Sequence, residues 1–229
     1  MLTDPILSDY RLLVPKNYLK KLAQEIRVVD QQAVYFLGSG DYHYLSLPIM
    51  AHFTKSFSVL VFDHHIDASE LIFPGMLSCG SWIRDLLADF DQVAHVYILG
   101  PDMSHGYPHK AMPNWVKQKL TILSERDLLA GHYQELAKAL AGQQIYLSVD
   151  RDILATCELA TSWDQGRLTS QQLCHWIEAI VPNHQLLGAD ICGDMNWTSQ
   201  SVFNLDYKKL VSQSRQSLQD LLTTIKNLF

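Results

Sequence analysis

Six short apolar runs rich in Val, Ile, Leu and aromatic residues recur along this chain, and segments with helical spacing separate them. This alternation, more than any other feature, limits what the chain can become. Runs at 33–37, 58–62, 93–99, 120–123, 144–149 and 186–191 predict strands, and patterns at 17–26, 44–53, 81–90, 126–141 and 170–181 predict helices. Strands that are apolar almost throughout have no polar face to offer water. They belong in a mostly parallel sheet covered on both faces, joined by right-handed crossovers. The expected class is therefore α/β, a three-layer α/β/α sandwich. A final stripe of Leu218, Leu221, Leu222, Ile225 and Leu228 predicts a closing helix packed on the sheet, although a partner-binding helix carries the same stripe. No repeat or linker interrupts the pattern, so one domain over 1–229 is expected.

Composition narrows the function. The 24 carboxylates exceed the 18 Lys and Arg, and a net charge of −6 argues against nucleic acid as the main partner. Like charges form no long block that would read as a polybasic membrane anchor. The apolar runs are strand length, below the roughly 20 residues of a bilayer span. Cys79, Cys157, Cys174 and Cys192 form no CxxC pair, and Asp4 and Asp9 interrupt the opening segment where a signal peptide would be apolar. A reduced, cytoplasmic protein is expected. Ten histidines exceed what packing needs, and imidazole is the commonest metal ligand.

The acids and histidines fall at strand ends. The second strand runs into Asp63, His64, His65, Ile66 and Asp67, the fifth into Asp150, Arg151 and Asp152, and the first into Gly38, Ser39, Gly40, Asp41, Tyr42 and His43. In extended chain alternate residues share a side, so Asp63, His65 and Asp67 are expected to converge while His64 and Ile66 face away. Asp150 and Asp152 pair in the same way. Four carboxylates in one cleft repel one another unless counter-charges intervene, and two divalent cations roughly 3.5–4 Å apart, holding a hydroxide between them, supply these. The absence of Cys from the three clusters favours a harder ion such as Mn²⁺ over a structural zinc site, with Zn²⁺ and Fe²⁺ the other candidates for the pair.

In chain order, GSGDYH, FDHHID and SVDRD resemble the GGDH, DAHxD and SxDxD motifs of the ureohydrolases, the arginase, agmatinase and formiminoglutamase family. The resemblance implies metal ligands at His43, Asp63, Asp67 and Asp150 for one ion and at Asp63, His65, Asp150 and Asp152 for the other. Asp63 and Asp150 would bridge, and Asp67 would also hold the hydroxide. Tyr42 stands between Asp41 and His43 where the family has the two adjacent, so a local shift is expected. The implied activity is hydrolysis of a non-peptide C–N bond, guanidino, amidino or amide, in a small nitrogenous substrate. Family members often form homo-oligomers.

The chain also departs from the family. The usual continuation of SxDxD is replaced by Ile153, Leu154, Ala155, Thr156 and Cys157, and TSWDQGRLT resembles a degenerate form of the family's Gly-rich segment. The tetrad whose glutamate pairs with substrate guanidinium corresponds to Asp190, Ile191, Cys192 and Gly193, which leaves Asp194, or else Asp164, to supply a carboxylate. The proton-shuttling histidine of arginases falls on SCGSW, where Cys79 is the ionisable group; His105 or His109, in the loop after 93–99, is the substitute expected. The remaining histidines, His52, His95, His132, His175 and His184, read as structural. Two other readings stay open, a single-zinc deacetylase-like amidohydrolase and a metal-binding protein without catalysis.

Overall fold

The structure is a computed structural model that describes residues 10–26, 32–103, 112–196, 203 and 205–229. The six expected strands form one sheet: β2 (Val34–Phe36), β3 (Phe57–Phe62), β5 (Val93–Leu99), β6 (Leu120–Leu123), β7 (Gln144–Asp150) and β8 (Gln185–Cys192). Every pairing in it is parallel, in the order β2-β8-β7-β3-β5-β6. Two short strands with no sequence signature, β1 (Leu13–Pro15) and β4 (Met76–Ser78), pair antiparallel apart from it.

Alternation along each strand divides the apolar residues between two cores. Val59, Val61, Val96, Ile98 and Tyr146 enter one, with Leu19 and Leu22 of α1 (Lys16–Glu25), Leu47, Ile49 and Met50 of α2 (Ser46–Met50), and Trp82, Ile83 and Leu86 of α3 (Trp82–Asp89). Leu60, Phe62, Leu99, Leu147 and Val149 enter the other. There they meet Leu128 of α5 (Glu125–Leu129), Leu136 of α6 (Tyr133–Ala139), Leu173, Trp176, Ile177 and Ile180 of α7 (Ser170–Ile180), and Leu221 and Ile225 of α8 (Tyr207–Lys226). Two apolar faces, each buried by helices, make the three layers expected from nearly continuous apolar strands. The closing stripe packs inward on α7 and the sheet.

Helix boundaries moved for local reasons. The expected helix at 126–141 is broken into α5 and α6 at Gly131, whose φ of +84° an α-helix cannot accept. The one expected at 44–53 begins as a 3₁₀ turn over Gly40–Leu45 before α2. A short α4 (Asn114–Gln118) was not foreseen. Thr169 and Gln172 form a reciprocal capping box that starts α7 where the sequence places it. Among the described residues no helix is long and apolar enough to cross a membrane.

Candidate metal centre

In a parallel sheet all strands deliver their carboxyl ends to one edge, where ligands of open α/β folds gather. The order β2-β8-β7-β3 sets four of those ends side by side. His43 arrives from the turn after β2, Cys192 ends β8, Asp150 ends β7, and Asp63 follows β3. Residues up to 149 positions apart in sequence thereby share one cluster.

His43 is fully buried and anchored through its Nε2. Ser148 Oγ donates to Asp190 Oδ1 at 2.7 Å, and Tyr146 Oη donates to Asp190 Oδ2 at 2.7 Å. With its one proton committed to Asp190, Ser148 accepts from His43 Nε2–H at 2.9 Å. That leaves Nδ1 facing Asp63 Oδ2 at 3.3 Å, Asp67 Oδ2 at 3.2 Å and Asp150 Oδ2 at 3.5 Å. Among the described residues, neither His43 Nδ1 nor Asp63 Oδ2 has a hydrogen-bond partner, and both are buried. Ligand atoms about 2.1 Å from a shared ion stand roughly 3.0 Å apart at right angles and roughly 3.4 Å apart tetrahedrally. The observed separations match. The donor set therefore fits a divalent ion.

A second group adjoins the first through Asp63. His65 Nδ1 lies 2.9 Å from Asp152 Oδ2 and 3.6 Å from Asp63 Oδ1, and Asp63, His65 and Asp152 offer ligand atoms within 4.8 Å of one another. The carboxylates are oriented from the backbone: His65 N–H donates to Asp63 Oδ1, His64 N–H to Asp152 Oδ1 and Asp152 N–H to Asp150 Oδ1. Asp67 has a φ of +49°, a left-handed conformation that Asp tolerates, and its Oδ2 accepts from the Trp82 indole N–H at 2.9 Å. The Trp82 ring also covers His43, with centroids 4.7 Å apart.

The electrostatics have the same cause. Burial, then the Asp63 charge, raises Asp67 to about 6. Burial likewise raises Asp150 and Asp152, with neighbouring carboxylates adding to it. Burial opposes charge on His43, yet Cys192, Asp63 and Asp67 outweigh it and push that imidazole well above its ordinary range. For His65, burial is overcome by Asp152 and Asp63, which push it up to about 12. Asp63 is held down, against burial, by the two histidines. Without a metal these imidazolium charges are the counter-charges of the cluster, and a proton and an ion compete for the same lone pairs.

The cluster opens on a cavity of about 340 Å³ lined by His64, His65, Asp67, Cys79, Asp102, Asp150, Asp152, Trp163 and Asp164 among others. The chain belongs to the family whose motifs it carries: the Arginase family model matches residues 7–193. This is an arginase-family chain. A Thermotoga maritima protein described as uncharacterized is 33% identical over 161 residues, covering 70% of this chain and 58% of the relative, so the arginase-family chain described here spans little more than half of that relative's length. The fold is similar to a hypothetical agmatinase from Burkholderia thailandensis, with TM-score 0.66, 16% identity and coverage of 93% of this chain and 65% of that one. It is equally similar to formimidoylglutamase from Bacillus subtilis (TM-score 0.67, 16% identity, 99% and 68% coverage). A third neighbour is formiminoglutamase from Trypanosoma cruzi, solved with Mn²⁺ (TM-score 0.66, 14% identity, 93% and 71% coverage).

Within this arginase-family cluster, several sequence expectations change. His64 and Ile66, expected to face away, both line the cavity, because the chain leaves the extended conformation after Phe62 and alternation stops there. Asp194 does not line it: its Oδ1 accepts from Ser214 Oγ at 2.8 Å and lies 3.5 Å from Nη2 of the fully buried Arg151. Asp164 does line it. Gly193, at φ +84°, has no room for the family's glutamate, since a Cβ there would stand 2.3 Å from Asp150 Oδ1. His105 and His109 lie outside the described residues. Cys192, which the sequence leaves outside the three ligand clusters, has its Sγ 3.1 Å from Asp150 Oδ2. Asp41, to which the sequence assigns no role, accepts from Arg11, Trp163 Nε1 and Asn196, joining three loops beside His43. Strand order brings these residues in, and periodicity carries no sign of it.

Proposed function

We propose that this arginase-family chain is a binuclear metal-dependent hydrolase that cleaves a non-peptide C–N bond of a small cationic substrate, a guanidino or amidino compound before an amide. The observation that carries the reading is His43 Nδ1, buried, unpartnered among the described residues and facing three carboxylates. His43, Asp63, Asp67 and Asp150 would hold one ion; Asp63, His65, Asp150 and Asp152 would hold the other, with Mn²⁺ the expected occupant of the His65 side. Such a pair supplies Lewis acidity and activates water at neutral pH.

The chain's own residues do the rest. Ser148 and Asp190 orient His43, and Asp67, on the cavity wall, is held by a hydrogen bond from Trp82. Asp102 and Asp164 are exposed carboxylates on the cavity wall, and the Trp163 indole lines it beside His65, edge to face with centroids 5.8 Å apart. Carboxylates and an indole favour a delocalised cation.

Elemental analysis of protein prepared with ample Mn²⁺, together with a screen of guanidino, amidino and acyl-amine compounds for released urea, ammonia or amine, tests this. About two ions per chain and turnover abolished by Asp150→Asn are expected. No bound metal, or turnover that survives Asp150→Asn, overturns the reading. One Zn²⁺ per chain with amide cleavage would instead identify the deacetylase-like chemistry, and two ions without turnover a metal-binding protein.

A further inference from the structure

Cys192 pairs with Asp150 in the β7–β8 register, so the two side chains leave neighbouring strands at the same level. Cys192 Sγ lies 3.1 Å from Asp150 Oδ2, the oxygen that also stands 3.5 Å from His43 Nδ1. His43, Asp150 and Cys192 are all buried, and their ligand atoms lie within 4.8 Å of one another. A sulfur about 2.3 Å and an oxygen about 2.1 Å from one ion stand roughly 3.1 Å apart at right angles. An S–H donating to Asp150 would give a similar distance. A second observation separates the two accounts: His43 Nδ1, 3.5 Å from Asp150 Oδ2, and Asp63 Oδ2, 3.3 Å from that nitrogen in the adjoining group, are buried without a hydrogen-bond partner among the described residues. The S–H bond does not close this cluster; an ion would.

We infer that Cys192 Sγ is a ligand of the ion held by His43, Asp63, Asp67 and Asp150. The inference rests on the binuclear reading above and deepens it. The ion displaces the thiol proton to solvent, and no electron is transferred. Its consequence is that the two ion positions differ in character. The His43 side, with one sulfur, selects Zn²⁺ or Co²⁺ over Mn²⁺, whereas the His65 side has only nitrogen and oxygen donors and suits the harder Mn²⁺. The argument for a hard ion at both positions assumed that no cysteine reached the cluster, and β8 supplies one.

Titration of the metal-depleted full chain with Co²⁺ tests the assignment. The wild type is expected to develop near-ultraviolet sulfur-to-cobalt charge-transfer absorption, retained in Cys79→Ser and lost in Cys192→Ser, which still shows the visible cobalt bands. Zn²⁺ affinity of Cys192→Ser is expected to fall at least about tenfold, the loss that even an outer neighbour of a ligand can cause, while Mn²⁺ affinity is little changed. X-ray absorption of the wild type loaded with one equivalent of zinc needs no variant and should report one sulfur neighbour at about 2.3 Å. Visible cobalt bands without charge transfer, or a zinc shell of nitrogen and oxygen alone, overturn the ligand assignment and leave the binuclear reading standing. Charge transfer lost in Cys79→Ser instead also overturns it. Failure to bind Co²⁺, Zn²⁺ and Mn²⁺ alike overturns both.

Discussion

Ser148 Oγ accepts the Nε2 proton of His43 at 2.9 Å while donating its own to Asp190 at 2.7 Å. This chain of two hydrogen bonds fixes the ring so that Nδ1, and not Nε2, meets the carboxylates. Outer hydrogen bonds of this kind orient a metal-binding imidazole and are commonly worth a factor of about 10–100 in metal affinity. Ser148→Ala should therefore weaken binding of the His43-side ion by that factor, measured by competition with a chelator. Turnover at saturating metal should remain near wild type. Unchanged affinity would show that Ser148 does not orient the ring.

Metal removal should lower thermal stability, because the carboxylates then rely on two imidazolium charges alone. An ion present at about 100 times its Kd stabilises by about 2.7 kcal/mol, which for a chain of this size raises Tm by about 5–10 °C. Apparent affinity should fall as pH falls, since every ligand must lose its proton to bind. Scanning calorimetry with chelator and with added ion at several pH values measures both. A Tm indifferent to metal would count against the centre.

Gly193→Ala should disturb the centre directly. Its Cβ would stand 2.3 Å from Asp150 Oδ1 and 2.5 Å from Arg151 N, at a φ of +84°. Strain of this kind costs about 1–3 kcal/mol, so a lower Tm is expected together with loss of bound metal by elemental analysis. Retention of two ions in a stable Gly193→Ala protein would show that the loop yields.

Arg151 is fully buried; its guanidinium donates to Cys192 O at 3.2 Å and Ser214 O at 2.9 Å and lies near Asp194, tying α8 to the cluster loop. Burial lowers its pKa while Asp194 and Asp150 act the other way. Arg151→Met leaves the Cys192 and Ser214 carbonyls without their charged donor and should cost about 1.5–3 kcal/mol, read by denaturant titration. Asp194→Asn should lower stability without raising KM, since Asp194 faces Arg151 and not the cavity. A raised KM in that variant would return Asp194 to the substrate site.

Asp164 is the counterpart test. It lines the cavity and is exposed. Asp164→Asn should raise KM for cationic substrates about tenfold or more, the loss of one charge-assisted hydrogen bond of about 1.5–3 kcal/mol, with Tm and metal content unchanged. Steady-state kinetics on a cationic and a neutral substrate separate this from a general loss of activity.

The amino-acid sequence by itself determined the layers and the chemistry at each strand end. Apolar runs and period-3.6 patterns are local, and they located the six sheet strands and the apolar faces that α1, α7 and α8 bury. Motif order likewise singled out His43, Asp63, His65, Asp67, Asp150 and Asp152, because histidine interleaved with aspartate at strand ends has no use in turn chemistry. Tertiary structure alone decided which ends are neighbours. Strand order is a non-local packing outcome: β8, late in the chain, inserts between β2 and β7, bringing Cys192 against Asp150 and drawing Asp194 to Arg151. It also decided that His64 turns inward, because the rule that alternate residues share a side holds only while the backbone stays extended, and here that ends at Phe62.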